Sequence, residues 1–413
     1  FGKTSFSQEH NVSITGGSDK LNYYFSGNLL DQEGILRYGD DRQRRYTVNG
    51  RATLKLTNWL TMGYSTRWWR NDYNGPSVLG DNSSNQFYHD VMRYWNLIPV
   101  TDPNGHYVRE TYIPALLEAG RFKKNQDQLD QQFTFNINPL EGLNIHAEFN
   151  YRTYSQNIHR SYLNTYSYDC DDQPYVNNAS SMPSNSSVYD YNLKQNYFNP
   201  NVYADYSFSI NETHNFKFMA GFQAEWLNQK AFSASRTDVI NNIPWLNTTS
   251  GTASVSGSSN TWSTAGWFGR VNYSYLSRYL FTATFRADGS SKFAPNNHWG
   301  YFPAAAAAWR ISDEPWMKGT QDWLSNLKLR LSFGTSGNDN IDDNMYATSY
   351  GSGHYGIGGK DYITYVPGKT LGNKDLKWEK TETVNVGLDV SVFGSRLNVG
   401  IDWYNNCLLY TSP

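Results

Sequence analysis

The sequence predicts an all-β fold, the wall of an antiparallel transmembrane β-barrel, on the basis of three observations. Apolar and polar side chains alternate over segments of about ten residues, for example in 21–29, 143–151 and 397–403. Successive side chains of a strand point to opposite faces, so each segment has one apolar and one polar face. About 9–11 residues is also the length that a tilted strand needs to cross a bilayer. Short and long connections roughly alternate along the chain, as they do in bacterial outer-membrane barrels.

The composition agrees with such a barrel and excludes several other classes. Of 413 residues only 38% are hydrophobic, and the mean hydropathy is −0.67, which suits a wall with one face toward water. No apolar run of about 18 residues occurs, which excludes a transmembrane helix. Aromatic residues make up 16% of the chain, which excludes a disordered protein. The formal net charge of −2 gives no basic excess, so we expect no nucleic-acid partner.

About fourteen strands are predicted from the alternating segments. In chain order they cover 9–16, 21–30, 45–56, 59–69, 129–138, 143–154, 195–209, 214–228, 262–275, 279–287, 300–312, 326–335, 378–392 and 396–404. The connections 70–128, 155–194, 229–261 and 336–377 are predicted to be long loops, the first with a short helix at 84–95. In bacterial barrels such loops face outside and the short turns face the periplasm. A soluble sandwich rarely needs several loops of this length.

Aromatic and charged residues indicate which side of the wall faces lipid. Aromatic residues cluster near strand ends, as in the girdles of membrane barrels, at Trp59, Trp68, Trp69, Trp262, Trp267, Tyr275 and Tyr279. The alternative is that these rings form the core of a soluble sandwich. Charged residues occupy the polar positions, at Arg51, Lys55, Arg270, Lys328 and Arg330. On a lipid face each would cost about 2–4 kcal/mol near the bilayer midplane, so a water-filled lumen is predicted for that side.

The chain contains no recognisable catalytic constellation, and we expect it not to be an enzyme. Its eight His residues are scattered, and none forms an i, i+4 pair beside a Glu. Ser290 and Ser291 follow Asp288 and Gly289 and are not part of a nucleophile elbow. The two cysteines, Cys170 and Cys407, form neither a disulfide framework nor a metal-binding spacing. The pair Asp288 and Gly289 is interpreted as a tight turn at the exit of a strand.

Two acidic clusters could hold calcium, because oxygen-rich loops bind this ion. One comprises Asp169, Asp171 and Asp172, and the other comprises Asp339, Asp342 and Asp343. Neither cluster has the twelve-residue spacing of a calcium-binding loop, so solvated loop is the alternative. We expect no other cofactor.

Aromatic residues in the long loops are candidate substrate-binding residues. The flat apolar face of a sugar ring stacks on aromatic side chains, while Asn and Asp bind its hydroxyl groups. Loop aromatics with such polar neighbours are Trp95, Tyr162, Tyr166 and Trp245. The alternative is that these side chains only pack the loops against each other.

Several motifs in fixed order resemble the SusC/RagA-like branch of the TonB-dependent outer-membrane transporters of Bacteroidetes. The most specific is 285–293 (FRADGSSKF), followed by 299–303 (WGYFP) and 309–312 (WRIS). The stretches 327–338 (LKLRLSFGTSGN) and 376–381 (LKWEKT) also match. The signature residues, to which we assign structural roles, are Arg286, Asp288, Gly289, Ser290, Ser291, Phe293, Phe302, Pro303, Trp309, Gly337, Asn338, Trp378 and Glu379.

The resemblance implies a TonB-dependent importer in the cell outer membrane, surrounded by its lipid. Its substrate would be an oligosaccharide or a peptide delivered by a SusD-like surface lipoprotein, and TonB would act through a plug domain. Residues 1–406 would then be part of a barrel of about 22 strands, without the plug. Residues 407–413 depart from the family pattern and are expected to be a non-native or truncated tail. The alternatives are a siderophore or cobalamin receptor of the same superfamily and a soluble, secreted β-rich glycan-binding module.

Overall fold

The computed structural model describes residues 4–80, 84–95, 97–180, 182–357, 360–368 and 371–409. Nearly all of the regular structure in these ranges is β-strand. The strands are β1 Ser7–Gly17, β2 Leu21–Glu33, β3 Arg42–Lys55, β4 Leu60–Pro76, β5 Arg121–Leu140, β6 Leu143–Tyr162, β7 Tyr166–Tyr168, β8 Pro174–Val176, β9 Ser187–Ile210, β10 His214–Thr237, β11 Ala253–Tyr275, β12 Tyr279–Ser290, β13 Trp299–Arg310, β14 Leu324–Asn338, β15 Tyr350–Ile357, β16 Lys360–Pro367, β17 Glu379–Val392 and β18 Leu397–Leu409. Two α-helices, α1 Ser84–Met92 and α2 Ile113–Leu117, lie between β4 and β5.

Fourteen of these strands form a single antiparallel sheet, which confirms the predicted fold class. Their order is β1-β2-β3-β4-β5-β6-β9-β10-β11-β12-β13-β14-β17-β18, so each strand pairs with its neighbours along the chain. The hairpins β7-β8 and β15-β16 form two separate small sheets within long connections. The last strand includes Cys407, which pairs with Glu382. Of the predicted tail, residues 410–413 lie outside the described residues.

The connections divide the sheet into two ends, which we call the short-turn end and the long-loop end. Several short turns are built from residues in the left-handed region, such as Asn211 and Glu212 between β9 and β10, and Leu276 and Ser277 between β11 and β12. Positive φ angles let a tight turn follow the twist of the two strands it joins. The connection from β13 to β14 is longer than the others at this end and contains the 3₁₀ turns Ile311–Asp313 and Pro315–Thr320.

The strands are longer than the sequence predicted, and the predicted loops 155–194 and 229–261 are in large part strand. β6 continues to Tyr162, and both β9 and β10 have 24 residues. In these extensions the alternation of apolar and polar residues ends, but the hydrogen-bond ladder continues because backbone pairing does not depend on it. The predicted helix is present as α1, and it ends at Met92. Parts of the other two predicted loops, 81–83, 96, 358–359 and 369–370, lie outside the described residues.

Residues that are paired across neighbouring strands lie on the same face, so the register defines two faces. One row consists of Phe281, Ala307, Leu331, Val386 and Trp403, all of them apolar. Leu331 and Trp403 are 48% and 60% exposed, although nothing in their chemistry favours water. We call this side of the sheet the band face. The continuous apolar area of the band face next to the short-turn end is called the apolar band.

The opposite side of the sheet is the polar face. The row adjacent to the one above consists of Thr282, Ala306, Ser332, Asn385 and Tyr404. The charged residues that are predicted to face a water-filled lumen all lie on this face, namely Arg51, Lys55, Arg270, Lys328 and Arg330. The two faces of the wall are therefore as different in polarity as the sequence predicted.

The predicted aromatic girdle needs one correction. Trp69 and Trp262 lie on the polar face, where Trp69 contacts Tyr154 and Trp262 contacts Tyr197. The reason is the two-residue period of a strand: Trp68 and Trp69 are adjacent, so they cannot both face lipid. Trp267 does lie on the band face and is well exposed.

Buried side chains are concentrated in the long connections. One cluster joins α1 and α2 through Phe87, Tyr112 and Leu116, and a second consists of Phe293, Phe302 and Trp378. Within the part of the chain that the structure describes, no helix is both long enough and apolar enough to span a membrane.

Candidate functional site

The polar face carries charged pairs that connect neighbouring strands. Arg152 Nε lies 2.5 Å from Asp130 Oδ1 across β5 and β6. Arg330 binds Asp389 at 2.8 Å and Asp402 at 3.1 Å, which ties β14, β17 and β18 together. Because these groups are partly exposed, each pair contributes at most about 1 kcal/mol. Their main effect is to hold charged groups in fixed positions on a hydrated surface.

A groove of about 710 Å³ lies on the polar face and is lined by residues of β2–β6 and β9. Three of its lining residues are the cations Arg51, Arg67 and Arg152, and the one acidic lining residue is Asp130. Tyr24 contributes an aromatic wall. The groove therefore has an excess of positive charge.

A second pocket, of about 310 Å³, lies in the long loops and includes one of the predicted substrate-binding residues. Trp95 lines it and is 72% exposed, so one face of its ring is free to contact a ligand. Arg93, Arg109 and Glu110 also line it and supply both signs of charge. We call this the loop pocket. Its mixture of an open aromatic ring and polar groups suits a ligand with apolar surface and hydrogen-bonding groups.

One carboxylate beside the loop pocket is held by several hydrogen bonds. Asp90 accepts them from Gln86 Nε2 at 2.7 Å, Ser180 Oγ at 2.7 Å, His89 Nδ1 at 3.0 Å and the Tyr112 hydroxyl. Burial alone would raise the pKa of Asp90, but these hydrogen bonds outweigh it and hold the pKa well below the usual range. Asp90 is therefore ionised at neutral pH and fixes α1 to the segment around Ser180.

The other predicted substrate-binding aromatics are in different places. The Tyr162 hydroxyl donates to the Ser77 carbonyl at 3.5 Å, and Tyr166 pairs with Val176 in the β7-β8 hairpin. The ring of Trp245 lies 5.2 Å from that of His159. Among the four residues, Trp95 alone lines the loop pocket as the described residues define it. The structure thus does not combine the four aromatics into one site.

The acidic clusters are engaged in hydrogen bonds of the loops. Asp169 Oδ1 accepts the backbone N–H groups of Asp171 at 2.9 Å and Gln173 at 2.8 Å, which closes a turn. Asp172 lies 2.9 Å from His106 Nε2, and Asp339 accepts the Ser290 hydroxyl at 2.8 Å. Over the described ranges, no three or more His, Cys, Asp or Glu side chains are grouped so that they could hold a metal ion. Calcium binding remains a prediction without geometric support.

Most signature residues meet at the long-loop end of β12, β13, β14 and β17. Arg286 binds Asp288 through two hydrogen bonds of 2.8 and 3.1 Å, and Ser291 Oγ accepts the Ser263 N–H at 2.9 Å. Ser290 is buried and donates to Asp339, as described above. These contacts attach the connection after β12 to its neighbours.

The centre of this region is an aromatic group that we call the rim cluster, formed by Phe293, Phe302 and Trp378. The Trp378 ring lies 5.5 Å from Phe293 and 5.4 Å from Phe302, and its Nε1 donates to the His298 carbonyl at 2.8 Å. Gly337 faces the Phe302 ring so closely that a Cβ atom would overlap it, which explains a glycine at this position. Residues far apart in sequence therefore form one buried core at the rim.

The remaining signature residues have separate structural contacts. Asn338 Nδ2 donates to Glu379 Oε2 at 3.2 Å, Gly289 lies against the Trp299 ring, and Pro303 pairs with Phe285 on the band face. These contacts continue the attachment of neighbouring strands to one another around the rim.

Trp309 lies at the short-turn end, where its Nε1 donates to Glu314 Oε1 at 3.0 Å. Sequence reasoning missed Glu314, which is buried and also accepts the Tyr279 hydroxyl at 2.6 Å. The hydrogen bonds from Tyr279 and Trp309 lower its pKa. Its position between Asp313 and Pro315 gives no signal of this role.

Comparison with known proteins identifies the family. The family described as TonB dependent receptor-like, beta-barrel matches residues 99–407. TonB-dependent receptor SusC of Bacteroides thetaiotaomicron is 30% identical over 437 residues, which cover 97% of this chain and 41% of SusC. TonB-dependent receptor P39 of Formosa agariphila is 30% identical over 422 residues, 98% of this chain and 37% of that receptor. The chain thus spans about two fifths of the length of these relatives.

Solved structures show the same fold. The RagAB peptide importer in its open-open state matches with a TM-score of 0.77 at 20% identity, over 97% of this chain and 44% of the importer chain. The pyoverdine-bound receptor FpvA of P. aeruginosa matches with a TM-score of 0.51 at 12% identity, over 96% of this chain and 46% of FpvA. Given the family match, the SusC relative and the RagAB fold, the chain belongs to the TonB-dependent receptor-like β-barrel family and is a SusC/RagA-like member of it.

Proposed function

We propose that this chain forms part of the wall of an outer-membrane nutrient importer, with its band face in lipid and its polar face toward the lumen. The observation that carries the proposal is the apolar band. On β9 the residues of the band face are apolar or aromatic from Phe198 to Ile210, and toward the long-loop end the band stops at Asn196 and Lys194. A tilted membrane-spanning strand needs about 9–11 residues, so this stretch is long enough to cross the bilayer. A band of this extent exposed to water would be an aggregation hazard, whereas in lipid it is stabilising.

The orientation follows from the two ends. Short connections face the periplasm and long ones the outside in bacterial barrels, so the loop pocket and the rim cluster would lie at the extracellular mouth. This supports an encounter of the long loops with a SusD-like surface lipoprotein that delivers substrate. TonB would act from the periplasm through a plug that fills the lumen next to the positively charged groove.

The cargo is proposed to be an oligosaccharide or a peptide. RagAB is described as a peptide importer, which supports the second class. The exposed Trp95 ring beside polar groups supports the first, because a pyranose ring stacks on an indole face while its hydroxyl groups bind Arg93 or Glu110. Both cargoes would enter through the same mouth.

A transport assay tests this function and the loop pocket together. Cells that express the native protein are given labelled oligosaccharides and labelled peptides, with and without a protonophore that removes the energy for TonB. We expect energy-dependent uptake of one cargo class, and a rise in the half-saturating concentration of about 5- to 30-fold for Trp95→Ala, the loss of a single stacking residue in a pocket. The matched control is Trp316→Ala, a similarly exposed tryptophan in the connection after β13. Uptake of neither class, or uptake that persists with the protonophore, would contradict the proposal.

The two alternatives make different predictions. The fold similarity to FpvA supports a siderophore receptor as an alternative. Growth that depends on the protein only under iron limitation would favour this alternative. A soluble glycan-binding module would have to expose the apolar band to water. A protein that stays monomeric and folded without detergent would therefore exclude the barrel wall.

A further inference from the structure

Two lysines of the band face lie directly opposite each other on neighbouring strands. Lys194 of β9 pairs with Lys230 of β10 in the register of the sheet, and both side chains are exposed. Like charges in directly opposed positions destabilise a sheet. The presence of two lysines here calls for an explanation, because a neutral polar residue at either position would avoid the repulsion.

The charge of this pair has no compensating carboxylate among the described residues. Asp190, four residues from Lys194 on the same strand, binds His159 at 2.6 Å. Asp127 belongs to the same row but lies two strands away, and it faces Arg70 at 3.8 Å. No carboxylate within the described part of the chain forms an ion pair with either lysine.

The lysines lie at the upper boundary of the apolar band. Phe198 and Trp226 pair with each other at the end of the continuous apolar stretch on β9 and β10, and each lysine follows four positions closer to the long-loop end. One further aromatic residue of this face, the exposed Phe232, lies two positions beyond Lys230. A groove of about 440 Å³ connects the two levels. From the short-turn side to the long-loop side, its lining is first mainly aromatic, then mainly amide, then cationic, and it is formed by Tyr151, Phe198, Trp226, Tyr197, Asn196, Asn228, Lys194 and Lys230.

We propose that this groove binds the phosphate headgroup of an anionic lipid in the outer leaflet of the membrane. The inference rests on the proposed function, since it needs the band face to be in lipid. The two ammonium groups would bind the phosphate, the amides of Asn196 and Asn228 would bind other headgroup oxygens, and the acyl chains would lie against Phe198 and Trp226. A long lysine side chain can bend toward the interface, which brings its charge to headgroup level.

A lipid fits the groove better than free phosphate does. The aromatic lower half of the groove is continuous with the apolar band, so it would remain in contact with hydrocarbon whether or not an ion occupied the upper half. Only an amphipathic molecule satisfies both halves at once. Negative lipid headgroups also attract surface lysines by about 1 kcal/mol each.

The test compares lipid binding by the native protein and by matched variants in detergent, with native mass spectrometry as the readout. The probes are lipid A, dephosphorylated lipid A and inorganic phosphate. Lys194→Gln combined with Lys230→Gln removes both charges, and Lys194→Arg combined with Lys230→Arg retains them. Lys123→Gln is the control, because Lys123 is an exposed lysine of the same face on β5, far from the groove. Insertion of every variant into the outer membrane is measured in parallel.

We expect the native protein, the double Arg variant and Lys123→Gln to bind lipid A equally well. The double Gln variant should bind lipid A about 30-fold more weakly, because the loss of two surface charges weakens binding by about that factor. Equal binding by the double Gln variant, or equal binding of dephosphorylated lipid A, would overturn the proposal. So would binding of inorganic phosphate that displaces the lipid. Failure of the native protein itself to insert would contradict the proposed function instead, so the two failures are distinguishable.

Discussion

The apolar band and the rim cluster are built from the same residue types but meet opposite environments. On the band, Phe285 is 50% exposed, and among the described residues no second layer of protein covers this face. In the rim cluster, Phe293 is 1% exposed and Trp378 packs between it and Phe302. The band is stable only where the solvent is hydrocarbon, whereas the rim cluster forms its own apolar environment from side chains.

This difference determines how each region tolerates change. A band residue needs only to be apolar, because fluid lipid adapts to its shape. A rim residue must also fit its neighbours, because a side chain packed on all sides leaves a cavity when it is shortened. The following predictions test that distinction in decreasing order of expected effect.

Shortening a rim residue should have the largest effect on stability. Phe302→Ala removes a ring that contacts Trp378 and Gly337, so we expect a loss of about 3–5 kcal/mol in the free energy of unfolding. Protease cleavage after Asn338 and the thermal midpoint of the detergent-solubilised protein are the measurements. The control is Phe285→Ala, which removes the same ring from the band. Similar losses for both variants would show that the band is packed against protein as well.

Adding a charge should have different effects on the two faces of one strand. Leu331 and Ser332 are adjacent exposed residues of β14, the first on the band face and the second on the polar face. Leu331→Arg should destabilise the inserted state by about 2–4 kcal/mol, because the charge would lie in hydrocarbon. Ser332→Arg should insert normally. The measurement is the fraction of each variant recovered in the outer membrane, and equal recovery would contradict the assignment of the faces.

Replacing the loop carboxylate should have a smaller, pH-dependent effect. Asp90→Asn leaves hydrogen-bond donors of Tyr112, Ser180, Gln86 and His89 poorly satisfied, and should cost about 1–3 kcal/mol of loop stability. Because folding lowers the pKa of Asp90, its contribution is complete above the ordinary aspartate pKa of 3.8 and is lost as the pH falls through the lower pKa of the folded state.

The measurement is hydrogen exchange in α1 and around Ser180 as a function of pH. The native protein should lose protection below about pH 4, whereas the Asn variant should be less protected at neutral pH and show little further change. Asp19→Asn, an exposed aspartate in a short turn, is the control. If protection from hydrogen exchange in the native protein did not change at low pH, the proposed role of the Asp90 carboxylate would be refuted.

Much of the wall could be predicted from sequence because a strand with lipid on one side and water on the other must alternate. The strands around Leu331 and Ile145 show this clearly, because their apolar residues lie on the band face. The prediction failed where that asymmetry ends. Lys194 and Lys230 lie in the predicted loops 155–194 and 229–261. They nevertheless belong to continuous strands, because backbone hydrogen bonding between strands does not require an apolar face.

The candidate sites were less predictable. Trp95 is predicted from its residue type, but its pocket also depends on Ser180, which comes from a distant part of the chain. The residues of the rim cluster belong to sequence motifs that resemble a family, but the sequence does not indicate that these motifs meet. Glu314 carried no signal at all.

The sequence by itself determined the polarity of the two faces, the number of strands in the sheet and the family to which the chain belongs. These depend on the local period of two residues and on contiguous motifs, both of which can be read along the chain. Only the tertiary structure decided which loop aromatics line a pocket, how Phe293, Phe302 and Trp378 meet, and that two lysines oppose each other. Those contacts depend on register and on loop closure, which local pattern does not encode.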